Sequence, residues 1–130
     1  MISNMAFMAF RSSNLVEQGD LLAQYLGSLS FPMDSYVEDN LNLCKIHAIN
    51  VDDRDIGFFG VQDETLWCFY ILREWARYAQ PLFAEVISSM GVKEVFFQTS
   101  DTLLTSLTMD WEFEKRKSAY FFIDAGPMPR

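Results

Sequence analysis

Hydrophobic spacing changes along this chain, and each change marks a change of element. Between residues 12 and 28 apolar positions recur at helical spacing. Leu15, Leu22, Leu26 and Leu29 share one face, with Leu21 and Tyr25 beside it. Ser12, Ser13 and Asn14 offer side-chain caps, so a first helix is predicted through about Ser28, with Gly19 weakening it by up to about 1 kcal/mol. Phe31-Pro32 breaks the pattern, and Asp34 or Ser35 caps a short second helix carrying Tyr36, Val37 and Leu41. From Cys44 onward aromatic and β-branched residues take over. Residues 45–50, 56–62 and 65–71 read as three strands joined by acidic turns at 51–55 and 63–64, connections short enough to imply an antiparallel meander.

The stretch 65–90 organises the rest: a strand, a polar joint at 72–80, then an amphipathic helix presenting Ala79, Leu82, Phe83, Val86, Ile87 and Met90. Proline is tolerated only in a helix's first turn, so Pro81 places the start of the regular helix at 77–80, and Gly91 is a fitting stop. Residues 93–98 form the next strand. Strand, helix and strand make a βαβ unit, so 65–71 and 93–98 should run parallel. Ser100 or Asp101 caps a helix burying Leu103, Leu104 and Leu107, and a strand pair at 114–117 and 119–124 closes the chain. The expected fold is α/β (α+β): a single domain with a mixed, mostly antiparallel sheet flanked by helices.

Composition narrows the function classes. The 130 residues are 50% hydrophobic and 15% aromatic, enough for one well-buried core. A net charge of -8 repels phosphate backbones, which argues against nucleic acid as a partner. No apolar run approaches the roughly 20 residues of a membrane span, and residues 1–10 lack the charged leader of a secretory signal. Cys44 and Cys68 belong to no CxxC pair and His47 is the only histidine, so no metal is expected and both thiols read as reduced core residues of a cytoplasmic protein. Asp52, Asp53 and Asp55 have no calcium-loop spacing and read as turn acids; Lys115-Arg116-Lys117 reads as a solvated edge.

The order of elements resembles the GNAT superfamily of N-acetyltransferases, with the comparison carried by residues 45–122. The joint after Ile71 falls where that family binds the pyrophosphate of coenzyme A. The run 99–113 (TSDTLLTSLTMDWEF) is similar to its later helix and Gly-Phe corner, here Glu112-Phe113. The resemblance implies a single GNAT-like domain, acetyl-CoA or another acyl-CoA as cofactor, no metal, and acyl transfer to a small amine or a protein acceptor. It also admits a catalytically inactive module working through a protein partner or a homodimer. Three features depart from the family pattern. Its glycine-rich loop is replaced by Arg73-Glu74-Trp75-Ala76-Arg77-Tyr78. Its tyrosine acid corresponds to Thr108, an aliphatic hydroxyl that gives up a proton less readily than a phenol. No carboxylate base lies in 65–71.

The candidate binding residues are therefore Ile71, Arg73, Arg77 and Tyr78. Arg73 and Arg77, four apart, would point the same way on an α-helical turn and clamp a pyrophosphate in place of the lost glycine amides. The alternative is that they pair with Glu74 or other acids on a solvated surface. Tyr70 and Glu74, flanking the joint, are the candidate acid and base. Trp75 and Tyr78 either fill the cleft or anchor a partner. His47 lacks an accompanying nucleophile or orienting acid and reads as a lone strand histidine.

Overall fold

The computed structural model describes residues 8–29, 33, 35–97 and 101–109. Five strands form one sheet in the order β1-β2-β3-β4-β5. Strands β1 (Met8–Ser13), β2 (Lys45–Val51), β3 (Arg54–Gln62) and β4 (Thr65–Ile71) pair antiparallel, and β5 (Glu94–Val95) pairs parallel with β4. The mixed, mostly antiparallel sheet expected from the sequence is present, with the meander and the parallel crossover in their expected places. Asp52 and Asp53 hold positive φ (50° and 67°) in the β2–β3 turn. That is the twist two-residue hairpins need and Asp tolerates.

Helices α1 (Gly19–Ser28) and α2 (Ser35–Asn42) cover one face, packing Leu21, Tyr25 and Leu41 on Ile46, Phe58 and Cys68. Helices α3 (Ala79–Ser89) and α4 (Thr102–Met109) cover the other, where Leu82, Phe83, Val86, Leu104 and Leu107 meet Ile49, Phe59, Phe69 and Ile71. Burial of these apolar surfaces on both faces is the main force holding the layers together. Helix α3 starts at Ala79, as Pro81 requires, and stops before Gly91 at φ 64°.

Two expectations are corrected. Residues 12–18 are not helical: Ser12 and Ser13 end β1, a strand the sequence reading missed, and a turn follows. There Asn14 Oδ1 accepts the Glu17 N–H (2.8 Å), while the buried Gln18 amide donates to Ser13 Oγ and Asp55 Oδ2. These bonds hold the turn to the sheet, so the helix begins only at Gly19. Among the described residues, the strand predicted at 93–98 is regular only at Glu94–Val95. The strand pair predicted at 114–117 and 119–124 lies outside the described residues.

Candidate functional site

The sheet opens at Trp67. Strand β4 pairs with β5 only at Thr65↔Glu94 and Leu66↔Val95, after which the Phe96 N–H reaches Leu66 O at 3.0 Å. Beyond that point β4 runs on to Ile71 with no β5 partner among the described residues, although it stays paired with β3 throughout. The cause is visible in the register. Leu66 faces Val61 and Cys68 faces Gly60, so Trp67 is an extra residue, a β-bulge. A bulge bends its strand and shifts side-chain alternation by one position. Leu66 before it and Phe69 and Ile71 after it therefore all reach the α3–α4 core, while Cys68 and Tyr70 turn to the α1–α2 side. The Trp67 ring stacks on Phe96 at 4.5 Å, so an indole sits where the strands part.

The far end of β4 is held close to β3. A Cβ on Gly57 would lie 2.3 Å from Tyr70 O and 3.0 Å from Ile71 Cα, so only glycine permits this approach. The Leu72 N–H donates to Ile56 O at 2.8 Å. Counting back by twos along the strand, the N–H groups of Phe69 and Ile71 point away from β3, into the gap left by β5.

The joint is a 3₁₀ segment, Arg73–Tyr78, opened by a Trp75 N–H to Leu72 O bond of 2.8 Å. This corrects the expected arginine geometry. At about three residues per turn, positions four apart diverge by roughly 120°, and positions three apart eclipse. Arg73 and Arg77 thus splay, whereas Trp75 and Tyr78 lie side by side, their rings tilted by 40° with centroids 5.6 Å apart and both half-buried against the core. The Arg77 guanidinium lies 5.1 Å over the Tyr78 ring. Glu74 bonds to Arg54 at 3.0 Å on the open surface. Among the described residues neither Arg73 nor Arg77 pairs with a carboxylate, and both are exposed. The Ile71 side chain is buried at 3% exposure, so only its backbone faces the gap.

On the α1–α2 side, Tyr70 packs its half-buried ring 5.8 Å from Tyr25, and burial raises its phenol's pKa. The Tyr25 hydroxyl donates to Asp101 Oδ2 at 2.8 Å, linking α1 to the start of α4, and Leu104 N–H donates to Asp101 Oδ1 at 3.1 Å. Asp101 caps α4 as the sequence allowed, but its burial and its tie to Tyr25, 76 positions away, had no sequence signal. Burial raises the Asp101 pKa, and its two hydrogen-bond donors oppose that rise. Tyr70 and Glu74, paired as acid and base in the sequence reading, lie apart in role: Tyr70 joins the Tyr25 cluster and Glu74 the surface pair with Arg54. Thr108 is 2% exposed and its Oγ1 has no hydrogen-bond partner among the described residues.

With this geometry established, comparison with known proteins is direct. A family model described as "Acetyltransferase (GNAT) domain" matches residues 14–125. The chain belongs to the GNAT family. Among solved structures, an acetyltransferase of the GNAT family from Colwellia psychrerythraea shares its fold with a TM-score of 0.72 and 23% identity, over 78% of this chain and 41% of that one. This GNAT chain therefore spans less than half the length of that protein. None of the curated proteins matches it. Acyl-CoA is the group the family implies, and the residues present fit it by an altered route. The opened edge of β4 offers backbone donors at the thioester end. At the pyrophosphate end, where Ala76 and Tyr78 stand in the 3₁₀ segment, the exposed Arg73 and the Arg77 guanidinium over Tyr78 are the cationic groups that would have to stand in for glycine amides. Among the described residues no helix is long and apolar enough to cross a membrane, and no three His, Cys, Asp or Glu side chains gather as a metal site.

Proposed function

We propose that this GNAT domain is an atypical acyl-CoA-dependent N-acyltransferase. The observation that carries the reading is the end of β4–β5 pairing at the Trp67 bulge, which leaves the rest of the β4 edge without a partner among the described residues while β4 stays paired with β3. Acyl-CoA, when bound, supplies a thioester carbon at which an amine's C–N bond forms and the C–S bond breaks, the leaving sulfur gaining the proton that the amine loses. The N–H groups of Phe69 and Ile71, fixed in direction by the β3 ladder, are placed to donate to the thioester carbonyl oxygen. Such donors need no reorganisation because the ladder already holds them. Arg73 and Arg77, splayed on the 3₁₀ segment, would each meet phosphate oxygens with its own guanidinium fork. Tyr70, whose phenol keeps its proton at neutral pH because burial raises its pKa, would pass that proton to the leaving sulfur and regain through solvent the one the amine loses. Glu74 is too engaged with Arg54 to be the first choice of base.

A catalytically inactive binding module is the second reading. It is favoured by the glycine-free 3₁₀ segment, whose Trp75 and Tyr78 rings close against the core. Thermal-shift titration with acetyl-CoA and free CoA separates the two. A ligand bound only by the native state at a hundred times its Kd adds about 2.7 kcal/mol. The expected result is a saturable rise in Tm for both ligands, lost when Arg73→Ala and Arg77→Ala are combined. No rise at millimolar ligand refutes acyl-CoA binding and leaves the module reading.

A further inference from the structure

Strand β1 is one edge of the sheet, and its outer N–H and C=O groups have no partner among the described residues. Proteins guard such edges with proline, lysine, a bulge or a very short strand. Met8–Ser13 carries none of these guards. Its six residues pair with β2 in one unbroken register, from Met8↔Val51 to Ser13↔Ile46, whereas the β2–β3 and β3–β4 ladders each carry an irregularity. Its single charge is already committed within the chain: Arg11 donates to Glu17 Oε1 at 3.1 Å and to Asp55 Oδ2. On the opposite face Phe10 stands edge-on to Phe59 at 5.0 Å, with Met8 packed on the same cluster, and both are only half-buried.

A regular, unguarded edge of this kind accepts another strand. We propose that the strand is β1 of a second copy of this chain, paired antiparallel about a two-fold axis through Phe10. Parity limits the choice. Directly opposed residues share a face, and the axis keeps each residue on its own face, so it passes through a residue and never between two. Within β1 two registers oppose five residues of each copy. With the axis at Arg11 the two guanidiniums face each other and Phe10 faces Ser12, a poor match on both counts. With the axis at Phe10 the two rings meet and extend the cluster already formed with Phe59. Met8 then lies beside the exposed Ser12, and the exposed Ala9 opposes Arg11. Alanine leaves the guanidinium free to keep its bonds to Glu17 and Asp55. A second copy supplies this match by symmetry, which a strand of unrelated sequence does not. Two strand edges and one pair of rings fall short of the roughly 1,200 Å² of a standard interface, so the dimer is weak, with a Kd on the order of 10–100 µM. The gap between β4 and β5 lies at the opposite edge of the sheet and stays open in both copies. The inference is therefore independent of the acyl-transfer reading.

The test is sedimentation equilibrium of the full chain from about 5 µM to 1 mM, a range that brackets the expected Kd. Salt is held at about 0.15 M, where the screening length is about 8 Å. Wild type should show a monomer–dimer equilibrium within that range. Position 9 is exposed, so charged variants there leave the core intact. Ala9→Lys sets a cation opposite Arg11 twice per dimer, and Ala9→Glu sets an anion there. Like charges weaken a cross-strand pair and unlike charges strengthen it, so Kd should rise roughly fivefold for Ala9→Lys and fall roughly fivefold for Ala9→Glu. Overall charge acts in the other direction: at a net charge of -8, lysine lessens the repulsion between copies and glutamate adds to it. The order of the two variants thus separates contact at β1 from a general charge effect. A chain that stays monomeric throughout the range overturns the proposal. So does a dimer whose Kd is unchanged in both variants, or one that Ala9→Lys tightens and Ala9→Glu loosens.

Discussion

Gly57→Ala is the sharpest probe of how the sheet positions the gap. The added methyl would sit 2.3 Å from the Tyr70 carbonyl oxygen and 3.0 Å from Ile71 Cα. Both are backbone atoms, so no side-chain rotation relieves the overlap. Overpacking typically costs about 1–3 kcal/mol, and a backbone obstacle places this change at the upper end, near 3 kcal/mol. For a chain of this length 1 kcal/mol corresponds to about 4 °C in Tm, so a fall of about 12 °C is expected. The Leu72 N–H to Ile56 O bond at 2.8 Å anchors the junction just beyond. Relief must therefore come from lifting the end of β4 off β3, which turns the Phe69 and Ile71 donors out of line. Gly27→Ala is the matched control: nothing lies within 4 Å of its added methyl and it sits within α1. There alanine should gain up to about 1 kcal/mol, or about 4 °C. Thermal denaturation followed by circular dichroism reads both. If Gly57→Ala melts within about 2 °C of wild type, the close approach of β3 to the end of β4 is not as described, and the argument from it fails.

Other outcomes follow from single groups. Thr108→Val replaces a buried hydroxyl, unpartnered among the described residues, with a methyl and should stabilise by about 1 kcal/mol, seen as a Tm rise of about 4 °C; a loss of stability would mean that the hydroxyl has a partner. His47 stacks on Phe59 at 5.2 Å, and burial lowers its pKa below the ordinary histidine value. A lowered folded-state pKa means that the unfolded chain binds the proton more readily, so the contribution is intact above about pH 6.5 and lost as pH falls through the folded value. Wild type should therefore lose Tm relative to His47→Phe between pH 7 and 5, and parallel curves would contradict the shift. Burial pushes the Cys44 thiol up to about 12 and the fully buried Cys68 thiol well above its ordinary range. Neither should react with a thiol-directed reagent in the native state at neutral pH, and fast labelling at the rate of a free thiol would show that this face opens.

The parts of the fold legible in the sequence were those set by local chemistry. Alternating apolar runs around Ile49, Phe59 and Phe69 marked the meander, Pro81 and Gly91 bounded α3, and Asp101 was recognisable as a cap. The strand at Met8–Ser13 was hidden because its burial pattern is mixed and because Ser12, Ser13 and Asn14 look like a helix start. Gln18 and Asp55, 37 positions apart, decide otherwise. The arginine pair was read with α-helical spacing, but a 3₁₀ segment formed and turned Arg77 onto Tyr78.

The sequence by itself determined the order of elements from α1 to α4, the parallel crossover and the absence of loop glycines, because periodicity, proline and turn residues act over a few neighbouring positions. Only the tertiary structure decided that Trp67 is a bulge, that β5 leaves β4 there, and that Asp101 is buried against Tyr25. Each of these depends on register or on contact between residues far apart in the chain. No local preference encodes such contacts, and packing sets them only when the layers close.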